Sequence, residues 1–286
     1  MVASLKRFRW WRLAVLIILG IYFFGPLVAA FLFTVHNTRL HTWSFAPYGQ
    51  MFGAAGFGAS LRMTLWISLL TIGIVMVLMV PTMLAIHLRL PKARGIVETI
   101  CMVPLVISPV ALVAGVSTVL GWGLNNQGSW IFRLDAQLQS QSLPLILPLI
   151  DVVLVMPFVF RALDAGLRAV DIKTLVEASR NLGASWLLTT WRVVVPNLRT
   201  ALLSGSILTL ALVFGEYTVS SILGFTPFAV WIVQDGQGSG QLPIAVSLLS
   251  LLLSWVVLFF VAFAGSRRFR ASSSAPTPVS SAIRSV

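Results

Sequence analysis

Six long apolar runs constrain this chain more than any other feature, because each of them carries at most two charged residues. The runs cover residues 13–35, 61–87, 99–122, 143–162, 201–223 and 242–264. At a rise of ~1.5 Å per residue, each is long enough to cross a hydrocarbon core of ~30 Å as a helix. Of the 286 residues, 58% are hydrophobic and only 10% are charged, so little sequence remains for a separate soluble domain. The pattern predicts an all-α integral membrane protein with six transmembrane helices in a lipid bilayer.

The basic residues indicate how such a chain would be oriented. Its net charge of +12 could suggest a nucleic-acid ligand, but the distribution of the charge argues against one. With a cytoplasmic N-terminus, all but three of the 20 Lys and Arg residues fall on the cytoplasmic side, the exceptions being Arg39, Arg62 and Arg133. Since Lys and Arg accumulate in cytoplasmic loops, both termini are predicted to be cytoplasmic, and no nucleic-acid partner is expected.

The first apolar run follows the basic stretch "KRFRWWR", which is similar to the start of a secretory signal peptide. The run is longer than the ~7–15 residue core of such peptides, and no clean Ala-x-Ala cleavage site follows, so we expect a retained helix. The domain prediction is a cytoplasmic N-terminus at residues 1–12, a six-span domain at 13–265 and a Ser/Pro-rich, disordered cytoplasmic tail at 266–286. The single cysteine, Cys101, indicates neither a disulfide framework nor a metal cluster.

Several of the runs contain proline, which removes a backbone hydrogen bond and bends or ends a helix. Pro104 and Pro109 lie in the third run, and Pro144, Pro148 and Pro157 lie in the fourth. Ordinary kinked packing accounts for any one of them, because neighbouring helices can satisfy the freed backbone groups. The three prolines of the fourth run together suggest a helix that lines a route or bends.

Between the fourth and fifth runs lies the polar segment "DIKTLVEASRNLGASWLLTTWRVVVPNLR", which we name the polar insert (residues 171–199). Asp171 can accept a hydrogen bond at the start of a helix that begins near residue 172. Leu175, Ala178 and Leu182 then fall on one apolar face of that helix. Gly183 follows as a left-handed residue that ends it.

A second helix is predicted in "WLLTTWRVVV", with Ser185 as its N-cap. Pro196 is then placed to occupy the first turn of the next spanning helix. Periodicity alone leaves two interpretations equally open. One is a helix lying on the membrane surface, which Trp186 and Trp191 would suit, and the other is a helix that docks a partner protein.

The order of residues in the polar insert resembles the signature of binding-protein-dependent ABC importer permeases. That signature runs Glu-Ala-Ala, three residues, Gly, nine residues and then Ile-x-Leu-Pro. Here Glu177-Ala178-Ser179 is followed at the same spacing by Gly183 and by Val193 to Pro196, with Ser for the second Ala and Val for both Ile and Leu. The resemblance implies the type I ABC importer permease architecture, in which a loop at about residues 164–200 forms a cytoplasmic coupling helix held by an ATP-binding subunit. By position, the ATPase-docking residues would be Glu177, Ala178, Ser179, Gly183, Ala184 and Pro196.

The same resemblance implies partners and a location. The sequence contains no G-x-x-x-x-G-K-[ST] phosphate-binding loop, so ATP and Mg would be bound by a partner and the permease would not itself be an enzyme. The implied partners are a pair of ATP-binding subunits, a second permease that is homologous or identical, and an external solute-binding protein. The implied location is the inner membrane of a bacterium or archaeon. No catalytic residue, cofactor or metal site is predicted, because neither H-E-x-x-H nor G-x-S-x-G occurs and the three histidines are scattered.

Two acidic residues fall inside apolar runs and are candidates for a solute pathway. Asp151 lies in the fourth run, and Glu216 lies in the fifth beside Tyr217. A carboxylate near the middle of a bilayer costs about 2.5–3.5 kcal/mol on insertion scales, so such groups usually face water, a partner or a route. Either one could instead be a helix-packing group or lie at the mouth of the protein. As pathway residues they would favour a cation.

Over residues 10–265 the chain looks like the spermidine/putrescine branch of these permeases, in stretches such as "VPLVISPVALVAGV" and "DVVLVMPFVFRALDAGL". The resemblance favours a polyamine or another cationic or amine-bearing small solute. Iron(III), thiamine and aminoethylphosphonate importers are alternatives, and Arg62-Met63 departs from the polar pattern typical of the branch. A secondary transporter coupled to an ion gradient is a further alternative, since it would also explain Asp151 and Glu216.

Overall fold

The computed structural model of the protein describes residues 2–37, 42–125, 129–141, 143–235, 241, 244–252, 255–256 and 259. These residues are predominantly helical, and the strands among them form a single two-residue antiparallel pair. The chain divides into two compact units, one of residues 1–62 with 226–254 and the other of residues 63–225 with 255–286.

In chain order the elements have the following bounds. The first part contains α1 (Val2–Val35), β1 (His36–Asn37), β2 (Thr42–Trp43), α2 (Ala46–Gly53), α3 (Phe57–Leu88), a 3₁₀ turn (Pro91–Ala93), α4 (Arg94–Val106), α5 (Pro109–Asn125) and α6 (Trp130–Leu138). Then come α7 (Ile146–Ala169), α8 (Ile172–Asn181), α9 (Trp186–Thr189), a π-helical turn (Thr190–Val194), α10 (Val195–Asn197), α11 (Arg199–Phe214), α12 (Thr218–Ile222) and α13 (Phe228–Asp235). Residues 244–252 are also helical.

The first unit combines a long outward-facing helix with a small aromatic core. The Trp10–Val35 part of α1 is long and apolar enough to cross a membrane, and most of its side chains are exposed. An apolar surface of this size is unfavourable in water, so we expect lipid or a neighbouring subunit to cover it. The aromatic core consists of Phe57, Phe228 and Trp231, whose ring centroids lie 5.6–6.0 Å apart. The indole of Trp231 donates a hydrogen bond to the carbonyl of Ala55 over 3.1 Å.

The second unit is organised around α7, which packs against α4 on one side and α11 on another. Near the C-terminal end of α7, Gly166 lies directly against Ala201 of α11, so a side chain at that position would collide with the neighbouring helix. Val159, Phe160 and Leu163 of α7 are almost completely buried in the main apolar cluster of this unit. The tight contact joins the two helices that flank the polar insert.

The spanning helices confirm the predicted all-α membrane architecture but differ from the sequence prediction in their continuity. Three helices, Trp10–Val35, Phe57–Leu88 and Ile146–Ala169, are long and apolar enough to cross a membrane, and two bent pairs bring the number to as many as five. Of the sixth predicted span, residues 242–264, the structure describes residues 244–252, 255–256 and 259.

Two predicted spans are broken. The third run, which contains Pro104 and Pro109, divides between α4 and α5, which are bent by 97° at Ile107 and Ser108. The fifth ends at Phe214, and α12 begins only after the non-helical residues 215–217. The fourth run forms one helix, α7, that continues through Pro157. Proline content therefore agrees with the break in the third run but does not account for the break in the fifth.

Candidate functional site

The start of α8 is fixed by Asp171, as predicted. Its carboxylate accepts hydrogen bonds from the Thr174 hydroxyl at 2.7 Å and from the Thr174 backbone amide at 3.3 Å. These bonds stabilise the charged form, so they hold the pKa of the exposed Asp171 carboxyl below its ordinary value of 3.8, with a smaller contribution from Lys173. The cap gives the polar insert a defined first turn immediately after α7.

The end of α8 is fixed by Gly183, also as predicted. Gly183 has a φ of +83°, in the left-handed region that glycine adopts without strain. Its amide donates to the carbonyl of Arg180 over 2.9 Å, and the amide of Ala184 donates to the carbonyl of Ser179 over 3.2 Å. This pair of bonds is a Schellman motif, which satisfies the last carbonyls of the helix.

One side of α8 is buried against the spanning helices. Ile172 and Val176 are 4% and 5% exposed and pack into the main apolar cluster, with Leu175 partly buried beside them. Of the other two residues on the predicted apolar face, Ala178 is exposed and Leu182 is 89% exposed. The sequence prediction did not say which side of α8 is buried, because periodicity in a short polar helix does not show where the surrounding helices lie.

A second helical segment follows the glycine turn. The Ser185 hydroxyl accepts a hydrogen bond from the Leu188 amide over 3.3 Å, which confirms the predicted N-cap of α9. The segment continues through the π-helical turn and α10, and it is bent by 75° relative to α11. Pro196 lies within α10, ahead of that bend, so it does not open the spanning helix as predicted. The spanning helix itself begins at Arg199.

Two contacts that the sequence did not reveal tie the polar insert to its surroundings. The Ser179 and Thr189 hydroxyls lie 3.0 Å apart and connect α8 with α9 across the glycine turn. The guanidinium of Arg89, just after α3, lies 4.9 Å from the ring centroid of Trp186, a cation–π distance. Both contacts join residues on different elements, so no spacing along the chain could indicate them.

A charged cluster at the end of α7 lies close to the start of the polar insert. Asp164 accepts from Arg94 of α4 over 2.8 Å and from Arg168, one helical turn further along α7, over 3.0 Å. The Nε2 atom of His87, near the end of α3, lies 3.6 Å from Asp164. The i, i+4 spacing of Asp164 and Arg168 was visible in the sequence, but the two long-range partners were not. One carboxylate thus connects three helices.

The predicted docking residues divide by exposure. Glu177, Ala178, Gly183 and Pro196 are exposed, whereas Ser179 and Ala184 are partly buried. Glu177 and Ala178 lie on α8 and Gly183 lies in its terminal turn, so two small residues and one carboxylate are exposed on this segment. Ser179 instead faces α9 through its hydroxyl.

The predicted pathway residues lie together at a different place in the second unit. Asp151, Glu216 and Tyr217 all line a cavity of about 390 Å³. Asp151 is 5% exposed, while Tyr217 is 42% exposed. The Glu216 carboxylate accepts from the amides of Val219 and Ser220 over 2.8 and 3.2 Å, at the start of α12. Among the described residues, no group of three or more His, Cys, Asp or Glu side chains could hold a metal ion.

More than half of the chain carries a family relationship. Residues 89–271 match the family described as "Binding-protein-dependent transport system inner membrane component". The chain belongs to this family. It is therefore a multi-pass inner membrane component of a transport system and is not itself an enzyme.

Some curated relatives of this inner membrane component are named for sulfate and others for spermidine and putrescine. The chain is 32% identical over 63% of its length to the "Sulfate transport system permease protein CysW" of Synechocystis sp., and 28% identical over 57% to the protein of that name from Synechococcus elongatus. It is 27% identical over 48% of its length to the "Spermidine/putrescine transport system permease protein PotB" of Escherichia coli. The matched regions cover 66%, 56% and 50% of these relatives, so the chain spans less than two thirds of each. The permease family of the prediction is confirmed, and its polyamine branch stays a prediction.

Proposed function

We propose that this inner membrane component is the permease subunit of an ATP-driven importer, and that α8 is the helix through which an ATP-binding subunit moves it. One observation carries the proposal. Ile172 and Val176 anchor α8 to the apolar cluster of the spanning helices, while Glu177, Ala178 and Gly183 remain exposed on its outer side. A helix that is held rigidly from within and presents small residues outward is suited to close contact with another protein.

The anchoring explains how such a contact would move the membrane part. The polar insert is continuous with α7 at one end and with α11 at the other, and Gly166 and Ala201 pack those helices directly together. Moving a two-state equilibrium from 1:99 to 99:1 takes about 5.5 kcal/mol of differential binding. Only a rigid connection between the docking surface and the spanning helices can transmit this free energy. In the polar insert, rigidity comes from the capped ends of α8, from its buried face and from the contact between Ser179 and Thr189.

The remaining partners and the orientation are proposed with the same function. A pair of ATP-binding subunits would bind ATP and Mg, a second permease would complete the route, and an external binding protein would deliver the solute. The polar insert, the N-terminal residues 1–12 and the tail 266–286 would lie in the cytoplasm, where the basic residues concentrate. Residues 13–265 would form the six-span domain, and the coupling loop would occupy about residues 164–200.

The solute is proposed to be a polyamine or another amine-bearing cation, which would pass Asp151, Glu216 and Tyr217. Among the described residues, two carboxylates line the cavity and no Lys, Arg or His does, a charge distribution that favours a cation. Sulfate is the second candidate, because the relatives named for sulfate are matched at higher identity than the relative named for spermidine and putrescine. Iron(III), thiamine and aminoethylphosphonate are the remaining candidate solutes.

The test of the docking proposal is an Ala178→Trp variant, assayed in proteoliposomes that contain the complete transporter. A large ring in a tight contact costs about 1–3 kcal/mol, so ATP-driven uptake should fall roughly tenfold or more. Ala114→Trp is the matched control, because Ala114 is an exposed alanine of α5 outside the polar insert. Its uptake should stay close to that of the wild type.

Unchanged uptake by Ala178→Trp would contradict the docking proposal. The same liposomes also test the alternative of ion-coupled secondary transport. Uptake that collapses when the ion gradient is removed and persists without ATP would replace the proposed function by that alternative.

A further inference from the structure

Two helix breaks border the same cavity in the second unit. One lies between α4 and α5, and the other lies between α11 and α12. Pro104, Ile107 and Pro109 line the cavity from the first break, and residues 215–218 line it from the second. Interrupted spanning helices are tolerated where the freed backbone lines a cavity or is buried in protein, and transporters place their solute sites at such interruptions. The position of the cavity between two helix breaks indicates that it could bind a polar group of a solute.

The two carboxylates of this cavity differ in their hydrogen bonding. Glu216 accepts three hydrogen bonds from the first turn of α12, from the amides of Val219 and Ser220 and from the Ser220 hydroxyl. Asp151 lines the cavity and is 5% exposed, and within the described part of the chain no hydrogen bond or ion pair reaches its carboxylate. Its oxygens are not fully enclosed by the chain and can be reached from the cavity. Since a carboxylate with so little access to water gains from a charged partner, we expect that partner to enter through the cavity.

From this difference we infer that Asp151 is the counter-ion for a protonated amine of the transported solute, while Glu216 holds α12 in place as the adjoining wall. The inference rests on the permease function proposed above and assigns different roles to the two acids that it grouped together. The ligand class is an organic cation that carries at least one ammonium group on an aliphatic chain.

The walls of the cavity support this class of ligand. Phe158 and Tyr217 offer aromatic faces that attract a cation, and Leu154, Val155 and Leu212 offer aliphatic contacts for a hydrocarbon chain. A volume of about 390 Å³ lies within the usual range for small-molecule sites. Sulfate would lie next to two carboxylates, and the lining residues that the structure describes include no basic side chain, which is unfavourable for a dianion.

The inference is tested by measuring the binding of radiolabelled spermidine to the purified complete transporter, with sulfate as the competing probe. Asp151→Asn should weaken spermidine binding by about 10- to 100-fold, since a hydrogen bond to a charged group is lost with the charge itself. Asp135→Asn is the matched control, because Asp135 is an equally buried acid on α6 that does not line the cavity. It should leave the affinity for spermidine unchanged, and excess sulfate should not displace spermidine.

A second measurement does not depend on the folding of an Asp151 variant. Leu154→Cys places a thiol in the wall of the cavity, and Cys101→Ala in the same chain removes the native thiol. Spermidine should slow the reaction of that thiol with a cationic thiol reagent by at least about tenfold, because it occupies the same volume, and sulfate should not.

The outcomes separate this inference from the function on which it rests. Each of three results would overturn the inference. The first is that Asp151→Asn leaves spermidine binding unchanged, and the second is that Asp151→Asn and Asp135→Asn weaken it equally. The third is that sulfate protects the Leu154→Cys thiol. ATP-driven uptake of sulfate that does not depend on Asp151 would overturn it as well and leave the permease function standing. Absence of ATP-dependent uptake for every solute tested would overturn the permease function.

Discussion

At the residue scale, Gly183 combines a structural requirement with a proposed contact, and the two can be separated. Its left-handed backbone disfavours most L residues by about 1–2 kcal/mol, but asparagine tolerates this conformation better than other side chains. A Cβ at Gly183 would meet no other atom within 4 Å, so there is room for a side chain within the chain itself. The turn therefore requires glycine at position 183 only because of the left-handed backbone conformation.

Gly183→Asn should therefore keep the turn of the polar insert and still reduce ATP-driven uptake by about tenfold or more, because the new side chain enters the proposed contact with the ATP-binding subunit. Uptake in proteoliposomes and amide hydrogen exchange of the polar insert measure the two effects. Gly224→Asn is the matched control, since Gly224 also has a positive φ, of +76°, and open space around its Cβ position. Equal uptake by both variants would remove Gly183 from the contact.

Asp171 makes the first turn of α8 sensitive to pH. Hydrogen bonds from Thr174 lower the pKa of Asp171 below 3.8, so the fold favours the charged carboxylate. The stabilisation is therefore complete above the ordinary pKa and is lost as the pH falls through the lowered pKa of the folded protein. Amide exchange of residues 172–176, corrected for its intrinsic pH dependence, should stay constant from pH ~7 to ~5 and accelerate below pH ~4.

The start of α9 provides the control for this titration, because its cap is the Ser185 hydroxyl, which does not titrate in this range. Exchange at the start of α9 should not change over the same interval. Parallel loss of protection in both helices would indicate general unfolding and would contradict a specific role for Asp171.

At the element scale, the ends of α8 followed from the sequence, but its orientation did not. Asp171, Gly183 and Ser185 act through hydrogen bonds to residues three to five positions away, so their neighbours in the sequence contain the necessary information. The buried face depends on α3, α7 and α11, which come from distant parts of the chain. The sequence therefore did not show that Ile172 and Val176 would be the buried residues of α8.

The breaks in the spanning helices illustrate the same limit. Pro104 and Pro109 accompany the break between α4 and α5, but Pro157 is accommodated inside the unbroken α7. The break before α12 contains no proline and is instead held by the Glu216 carboxylate. Whether a proline or a glycine breaks a helix depends on whether neighbours satisfy the freed groups, which is a property of the packed structure.

The Asp164 cluster predicts unequal effects from its two arginines. Arg94 joins α4 to α7 over 2.8 Å and is 30% exposed, whereas Arg168 lies on the same helix as Asp164 and is 58% exposed. Arg168→Ala should change the free energy of unfolding by no more than about 0.5 kcal/mol, as for other exposed pairs one turn apart. Arg94→Ala should cost about 1–2 kcal/mol, because it also detaches one helix from another. The midpoint of denaturation in detergent measures both effects, and equal midpoints would contradict the connecting role of Arg94.

At the scale of the whole molecule, composition and family agree on a membrane protein that cannot bury its surface alone. The Trp10–Val35 part of α1 is exposed almost throughout, and hydrophobic side chains of α3 and α5 are exposed as well. Lipid and further subunits would cover these surfaces in the complete transporter. The apolar runs made the membrane architecture predictable, because a span of ~20 residues is long enough to cross a bilayer whatever its neighbours are.

The solute was the least predictable property at this scale. Two acids within apolar runs indicated a cation, but only the structure distinguished Glu216, which is occupied by the start of α12, from Asp151, which has no partner among the described residues. The relatives carry names for both an anion and a polyamine. Sequence similarity over about half of the chain does not decide between an anion and a polyamine, because that choice depends on the Asp151 carboxylate and its hydrogen bonds.

The most direct test of the docking account is a photo-crosslink from position 178 in the complete transporter. A photoreactive side chain in place of Ala178 should form a covalent adduct with the ATP-binding subunit. The same side chain in place of Ala114 should form none with that subunit. A photoreactive side chain at position 178 that reacts only with lipid would contradict the account. So would an Ala178→Cys thiol that a membrane-impermeant thiol reagent labels from outside intact cells.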